Sequence, residues 1–167
     1  LALADAIESG VDVINLSLAY RQRSVVVDLL LEEAARRKII VVAAAGNDGS
    51  ATLPFPAIDS HVLAVTALRG DGSGLADFAN RGATAELAAI GEDVYGALFG
   101  GEYGTSSGTS MAAPFAAAGA ALVKSLDSGV SPDLVRRLLA QSGVVIADGA
   151  WSGSSLDLGR AAAAAQP

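Results

Sequence analysis

Short runs of consecutive aliphatic residues alternate with helical patterns along the whole chain. Residues 11–18, 38–46 and 61–68 are rich in valine, isoleucine, leucine and alanine, as in strands that are buried on both faces. A shorter run of the same kind lies at residues 85–91. Because buried strands separated by helices form parallel sheets covered on both sides, we predict a three-layer α/β fold, a mainly parallel sheet flanked by helices.

Helical spacing of apolar residues predicts helices in segments before, between and after these strands. The predicted helices cover residues 2–9, 24–37, 109–126, 131–143 and 156–165. Ser131 and Pro132 are typical of an N-cap and a first helical turn. The stretches rich in Gly, Ser and Asp at residues 46–56 and 69–74 are predicted to be loops between elements. Residues 1–167 therefore form one predicted domain.

The composition excludes several classes of protein. The formal net charge is −7 and the longest basic run is Arg-Arg-Lys at residues 36–38, so we expect no nucleic-acid partner. The chain has no cysteine, which excludes disulfides and thiolate metal sites. No apolar run approaches the ~18 residues of a transmembrane helix, so we expect no membrane partner.

Ser110 stands in a glycine-flanked segment directly before a helix rich in alanine. Residues 104–123 have the sequence GTSSGTSMAAPFAAAGAALV. A hydroxyl at this place lies near the positive end of the helix dipole, and Gly108 allows a tight turn and close approach of a substrate chain. A nucleophilic serine fits this pattern, but so does an N-cap serine on a buried helix.

Asn47 follows the predicted strand at residues 38–46, at the carboxyl edge of the sheet. Open α/β sheets bind their ligands at this edge, and a side-chain amide there can donate a hydrogen bond to a developing oxyanion. Asparagine and glycine after a strand are also ordinary turn residues. Asn47 alone therefore does not decide between a turn and a functional site.

Together and in this order, the segments resemble the subtilisin-like serine peptidases (subtilases). Residues 108–114, GTSMAAP, closely resemble the nucleophile motif of that family, and residues 40–47 resemble the strand that carries its oxyanion asparagine. Residues 10–18, 76–82 and 152–165 also resemble family segments, in the same order. The resemblance covers nearly the whole chain.

By this resemblance the parent protein is a serine endopeptidase that acts on a polypeptide substrate. Ser110 would form the acyl-enzyme, and Asn47 would donate to the oxyanion beside the Ser110 backbone N–H. Further contacts with substrate are implied for Ser17, Leu18, Ala19, Ala45, Gly46, Gly108 and Thr109. The chain has SLAY at residues 17–20 where the family usually has SLGG, so the extended subsites differ here.

The family's catalytic aspartate and histidine should precede the serine, in a strand ending Asp-Ser/Thr-Gly and a helix beginning His-Gly-Thr-His, but neither motif occurs. The only histidine, His61, opens a predicted strand and is not expected to be the base. The Asp-Ser-Gly at residues 127–129 follows a helix and predicts a turn. Residues 70–74 lack the spacing of a phosphate loop, which disfavours a nucleotide-binding domain.

We therefore interpret the chain as the C-terminal half of a subtilase domain that begins inside a helix. The missing N-terminal half would carry the aspartate and the histidine, and the chain alone would be inactive. The alternative is a non-catalytic pseudopeptidase that serves as a binding or scaffold module. Truncation would leave the strand at residues 10–18 with an exposed edge, through which we expect a homodimer or other self-association.

The residues predict no cofactor and no metal site. The resemblance is compatible with bound calcium, but the sequence identifies no site for it. It also implies a secreted or cell-envelope protein, and the sequence gives no other indication of compartment.

Overall fold

The computed structural model describes residues 1–149 and 151–166. The strands are β1 (Val13–Leu16), β2 (Ile40–Ala44), β3 (Val62–Leu68), β4 (Leu87–Ile90), β5 (Val94–Ala97), β6 (Tyr103–Ser106), β7 (Val145–Asp148) and β8 (Trp151–Ser155). The helices are α1 (Ala2–Glu8), α2 (Val25–Arg36), α3 (Thr109–Leu126), α4 (Pro132–Ala140) and α5 (Leu158–Ala164).

Six strands form one sheet in the order β1-β2-β3-β4-β8-β7. The first four pairs in this order are parallel, and only β7 runs antiparallel to its neighbour β8. Strands β5 and β6 form a separate antiparallel hairpin. The predicted α/β fold with a mainly parallel sheet is confirmed, and β1 lies at one edge of the sheet.

Alternate residues of the central strands face two different cores. Val42 of β2 lies in the core formed with α3, α4 and α5. Its neighbour Val41 lies in the core formed with α1 and α2, which includes Leu31. Because β2 and β3 are buried on both faces, their sequences are continuously aliphatic. Alanines on the buried side of α3 let this helix pack closely across β1 to β4.

The predicted strands and helices are present, but most of them are shorter than predicted. The strand predicted at residues 11–18 covers Val13–Leu16, and the helix predicted at residues 131–143 ends at Ala140. The hairpin β5–β6 was not predicted, because glycine and polar residues interrupt its apolar pattern. Strand β7 was not predicted either, because so short an apolar run does not distinguish a strand from other structure. Among the described residues, no helix combines the length and the hydrophobicity needed to cross a membrane.

Candidate active site

Ser110 is the second residue of α3, and Gly108 is the N-cap of this helix. The interpretation of Ser110 as an N-cap is therefore wrong. The Ser110 side chain is half-buried, and its hydroxyl makes only a long contact of 3.5 Å with the carbonyl oxygen of Ser17. The Ser17 hydroxyl donates a 2.9 Å hydrogen bond to the carbonyl oxygen of Ser110. The carboxyl end of β1 thus holds the first turn of α3 while the Ser110 hydroxyl stays weakly bound.

Asn47 lies beside this turn, at the carboxyl end of β2. Its Oδ1 accepts hydrogen bonds from the backbone N–H and the hydroxyl of Thr109, both at 2.9 Å. Two donors on the oxygen fix the orientation of the amide, so that Nδ2 is directed away from Thr109. A Cβ added to Gly108 would lie 3.3 Å from this Nδ2, which shows how closely the amide approaches the turn before Ser110. Among the described residues, Nδ2 has no hydrogen-bond acceptor and is free to donate.

Thr109 connects the start of α3 to the segment that follows β2. Its side chain is fully buried, and its Oγ1 accepts a 3.0 Å hydrogen bond from the Gly46 N–H while donating to Asn47. A single hydroxyl therefore satisfies a buried backbone donor and orients the Asn47 amide.

A cleft of about 390 Å³ lies next to Ser110, between the segments that follow β1 and β2. It is lined by Ser17, Leu18, Ala19, Tyr20, Arg21, Ala44, Gly46, Asn47, Asp48, Pro54, Thr109 and Ser110. Of the substrate contacts expected from the sequence, five line this cleft, namely Ser17, Leu18, Ala19, Gly46 and Thr109. Ala45 is fully buried beneath it, and Gly108 is buried at the start of α3.

Tyr20, which lines the cleft, also contacts the loop after β2. Its backbone N–H donates a 2.7 Å hydrogen bond to the Phe55 carbonyl, and the two rings lie 6.4 Å apart between centroids. The Arg23 guanidinium lies over the Phe55 ring, 5.7 Å from its centre. These contacts join the segment after β1, which contains the SLAY sequence at residues 17–20, to the loop after β2.

Asn80 was not singled out from the sequence, although it lies within the segment at residues 76–82. It is buried, and its Oδ1 accepts hydrogen bonds of 2.9 Å from the N–H groups of Asp48 and Ser50. Its Nδ2 donates a 3.0 Å hydrogen bond to the Ala45 carbonyl. Asn80 thus holds the backbone on both sides of Asn47.

The family model of the subtilases matches residues 2–157 of this chain. The chain belongs to the subtilase family. Halolysin of Haloferax mediterranei is 45% identical over 96 residues, which are 55% of this chain and 18% of halolysin. The chain therefore spans about a fifth of the length of that relative.

This subtilase chain also resembles solved protease structures. A protease of Pseudoalteromonas arctica is 31% identical with a TM-score of 0.85, over 93% of this chain and 51% of that one. The prenylagaramide maturation protease PagA is 27% identical with a TM-score of 0.87, over 99% of this chain and 65% of that one. The self-cleaved protease domain of PatA is 32% identical with a TM-score of 0.85, over 98% of this chain and 65% of that one. The chain spans about half to two thirds of these structures.

His61 lies far from the subtilase serine. It directly precedes β3, at the amino end of the sheet, whereas Ser110 lies at the carboxyl end. The backbone N–H and Nδ1 of His61 lie 3.0 and 2.9 Å from Oδ1 of Asp59, whose other oxygen accepts from Arg23 at 2.8 Å. His61 is thus an exposed partner of the buried Asp59 carboxylate and lies out of reach of the Ser110 hydroxyl.

Among the described residues, no three or more His, Asp or Glu side chains are grouped so that they could hold a metal ion.

Proposed function

We propose that this chain is the serine-bearing part of a subtilisin-like endopeptidase. Ser110 Oγ attacks the carbonyl carbon of the scissile peptide bond and loses its proton to a general base. The base returns that proton to the leaving amine as the C–N bond breaks. Water then hydrolyses the ester on Ser110 and releases the acid product.

The orientation of the Asn47 amide is the observation that carries this proposal. During attack the carbonyl oxygen gains negative charge, and a donor that is already oriented stabilises it without reorganisation. Thr109 occupies Oδ1 of Asn47 with two hydrogen bonds, which leaves Nδ2 as the free donor beside Ser110. The Ser110 backbone N–H, in the first turn of α3, is the second proposed donor.

The base and its aspartate must come from outside this chain, because its only histidine lies at the opposite edge of the sheet. We propose that they belong to an N-terminal part of the parent protein that packs beside β1. The chain alone is then inactive, because a serine hydroxyl is a weak nucleophile without a base. In subtilisin, loss of the histidine lowers kcat by about 2 × 10⁶-fold.

Labelling with a fluorophosphonate tests this proposal, because the reagent reacts with activated serines. The full-length protein should be labelled, and the Ser110→Ala variant and the isolated chain should not. If the full-length protein is not labelled and lacks the aspartate and histidine motifs upstream, the proposal is overturned and the pseudopeptidase is supported. Labelling that persists in Ser110→Ala would assign the nucleophile to another residue.

We further propose that the isolated chain forms a homodimer through the free edge of β1. Edge strands pair readily with other chains, and β1 contains Ile14 in the core beside two half-buried residues, Val13 and Leu16. Sedimentation at several concentrations should show a dimer. Asn15→Pro should abolish it, because the Ile40 N–H donates to the Asp12 carbonyl, so that the Asn15 N–H faces the free edge, and proline cannot donate to a ladder. A monomer at all concentrations would overturn this proposal. On family resemblance alone, we propose that the parent protein is exported.

A further inference from the structure

The hairpin β5–β6 leads directly into the active-site turn. After β6 ends at Ser106, the Ser107 hydroxyl accepts a 2.9 Å hydrogen bond from the Asp93 N–H. The Gly108 N–H then donates a 2.7 Å hydrogen bond to the carbonyl of Gly91, just beyond β4. The base of the hairpin is therefore fixed to the carboxyl end of β4, immediately before Ser110.

One face of this hairpin is exposed and uncharged. Its residues are Tyr95, Ala97, Tyr103 and Thr105. The side chains of Tyr95 and Tyr103 are 71% and 67% exposed, and their rings stack at 6.1 Å between centroids. Phe99, at the tip, is fully exposed. Aromatic residues exposed together in this way are characteristic of binding surfaces.

Both strands of the hairpin also have a free edge. Among the described residues β5 and β6 pair only with each other, so each strand keeps backbone N–H and C=O groups on its outer side. An extended polypeptide can add to such an edge as a further strand, while its side chains contact the face.

The cleft is formed by the segments after β1 and β2, whereas the hairpin rises from the end of β4, and β3 separates these strands in the sheet. The turn at the start of α3 crosses the same strands, because Ser110 contacts the segment after β1 while Gly108 is bonded to Gly91 after β4. A polypeptide that fills the cleft and extends toward the Gly108 end of this turn reaches the hairpin. Tyr103 lies four positions before Ser107, or about 13 Å at the rise of a strand.

We propose that the hairpin binds the part of the polypeptide substrate that follows the scissile bond, with a preference for apolar or aromatic residues and against acidic ones. This inference rests on the proposed endopeptidase function. The preference against acidic residues follows from Glu92, Asp93 and Glu102, since residues 92–106 contain three carboxylates and no basic residue. The same charges disfavour pairing between two copies of the hairpin.

Internally quenched peptides test the preference in the full-length protein. They share one acyl side and differ in the four residues after the scissile bond, Leu-Tyr-Leu-Lys in one peptide and Gly-Ser-Gly-Glu in the other. We expect kcat/KM to be about tenfold higher for the apolar peptide, because each aromatic contact adds to binding. The combined variant Tyr95→Ser, Phe99→Ser, Tyr103→Ser should lose this ratio and keep its kcat/KM for the Gly-Ser-Gly-Glu peptide.

A matched control carries Val25→Ser, Val26→Ser and Leu29→Ser, which remove exposed apolar side chains from α2. It should keep the tenfold ratio. Equal hydrolysis of the two peptides by the unaltered protein, or an unchanged ratio in the hairpin variant, would overturn the inference and leave the proposed function intact.

If the full-length protein cleaves neither peptide, the proposed function fails, and binding of the fluorescent peptides to the Ser110→Ala protein decides the inference separately. Tighter binding of the apolar peptide that is lost in the hairpin variant supports the surface. Equal anisotropy for both peptides overturns it.

Discussion

Thr109 holds the side-chain oxygen of Asn47 through its backbone N–H and its hydroxyl, at 2.9 Å each. The residue before the proposed nucleophile thus orients the proposed oxyanion donor. Because the same hydroxyl accepts from the Gly46 N–H, the end of β2 and the start of α3 are joined at one buried atom.

Replacing Thr109 with valine keeps the shape of the side chain and removes this hydroxyl. The Gly46 N–H is then buried without an acceptor, so the free energy of unfolding should fall by about 1–3 kcal/mol. Urea unfolding of the isolated chain measures this change. The exposed Thr84→Val is the matched control and should change stability by less than about 0.5 kcal/mol. Equal effects of the two substitutions would contradict the role of the Thr109 hydroxyl.

In the full-length protein, Asn47→Leu should lower kcat and leave KM nearly unchanged, because the amide acts on charge that develops only in the transition state. In subtilisin, loss of the corresponding donor costs about 10²–10³-fold in kcat. Asn47→Asp should be at least as harmful, since it replaces the donor Nδ2 with a carboxylate oxygen. Steady-state kinetics distinguish this result from a loss of substrate binding, which would raise KM instead.

The sequence predicts the sheet well because burial on both faces leaves a direct pattern. β2 and β3 must be aliphatic throughout, because helices cover both faces of the sheet. The hairpin β5–β6 leaves no such pattern, because its residues alternate between half-buried and exposed and include Gly96 and Gly104. Its two strands are stabilised mainly by each other, and no core demands apolar residues there.

Ser110 and Asn47 could be proposed from the sequence because each lies in a recognisable motif. Asn80 could not, since its role depends on hydrogen bonds to Ala45, Asp48 and Ser50, which are 30 or more residues away in the chain. The contact of Tyr20 with Phe55 likewise depends on two loops that meet only in the folded chain.

Asn80→Asp should destabilise the chain by roughly 2–3 kcal/mol. The new carboxylate still accepts from Asp48 and Ser50, but it places a buried charge against the Ala45 carbonyl, where Nδ2 now donates. Thermal unfolding at pH 7 and pH 4 provides the measurement. The loss should be smaller at pH 4, where protonation lets the acid donate to Ala45, and a loss independent of pH would contradict this explanation.

Glu33 should make a small contribution to stability that depends on pH. Hydrogen bonds from Arg36, which has the larger effect, and from Arg37 lower the pKa of this carboxyl from 4.5 to about 2. Because its pKa is lower in the folded chain, the stabilisation is present above about pH 4.5 and is lost as the pH falls toward 2. Glu33→Gln should therefore lower the urea midpoint at pH 7 more than at pH 2.

Glu32→Gln is the matched control on the same helix. Glu32 is exposed and forms no ion pair with any described side chain, so its substitution should change the two midpoints nearly equally. If Glu32→Gln and Glu33→Gln gave the same difference between pH 7 and pH 2, the arginine pairs would not be its source.

His61→Gln should leave kcat/KM of the full-length protein unchanged within about twofold, the scatter expected for a substitution remote from the reaction. The sheet register places Leu16, the last residue of β1, level with Ala64 of β3, which is three residues or about 10 Å beyond His61 along the strand and two strands away across the sheet. Ser110 contacts Ser17, one residue further along. A base must lie within hydrogen-bond reach of the hydroxyl, directly or through one water. A fall of kcat/KM by 100-fold or more, with an intact fold by circular dichroism, would contradict this placement. The substitution removes the ring contact with Asp59 and should lower the free energy of unfolding. This loss should be small, because Arg23 still pairs with the Asp59 carboxylate.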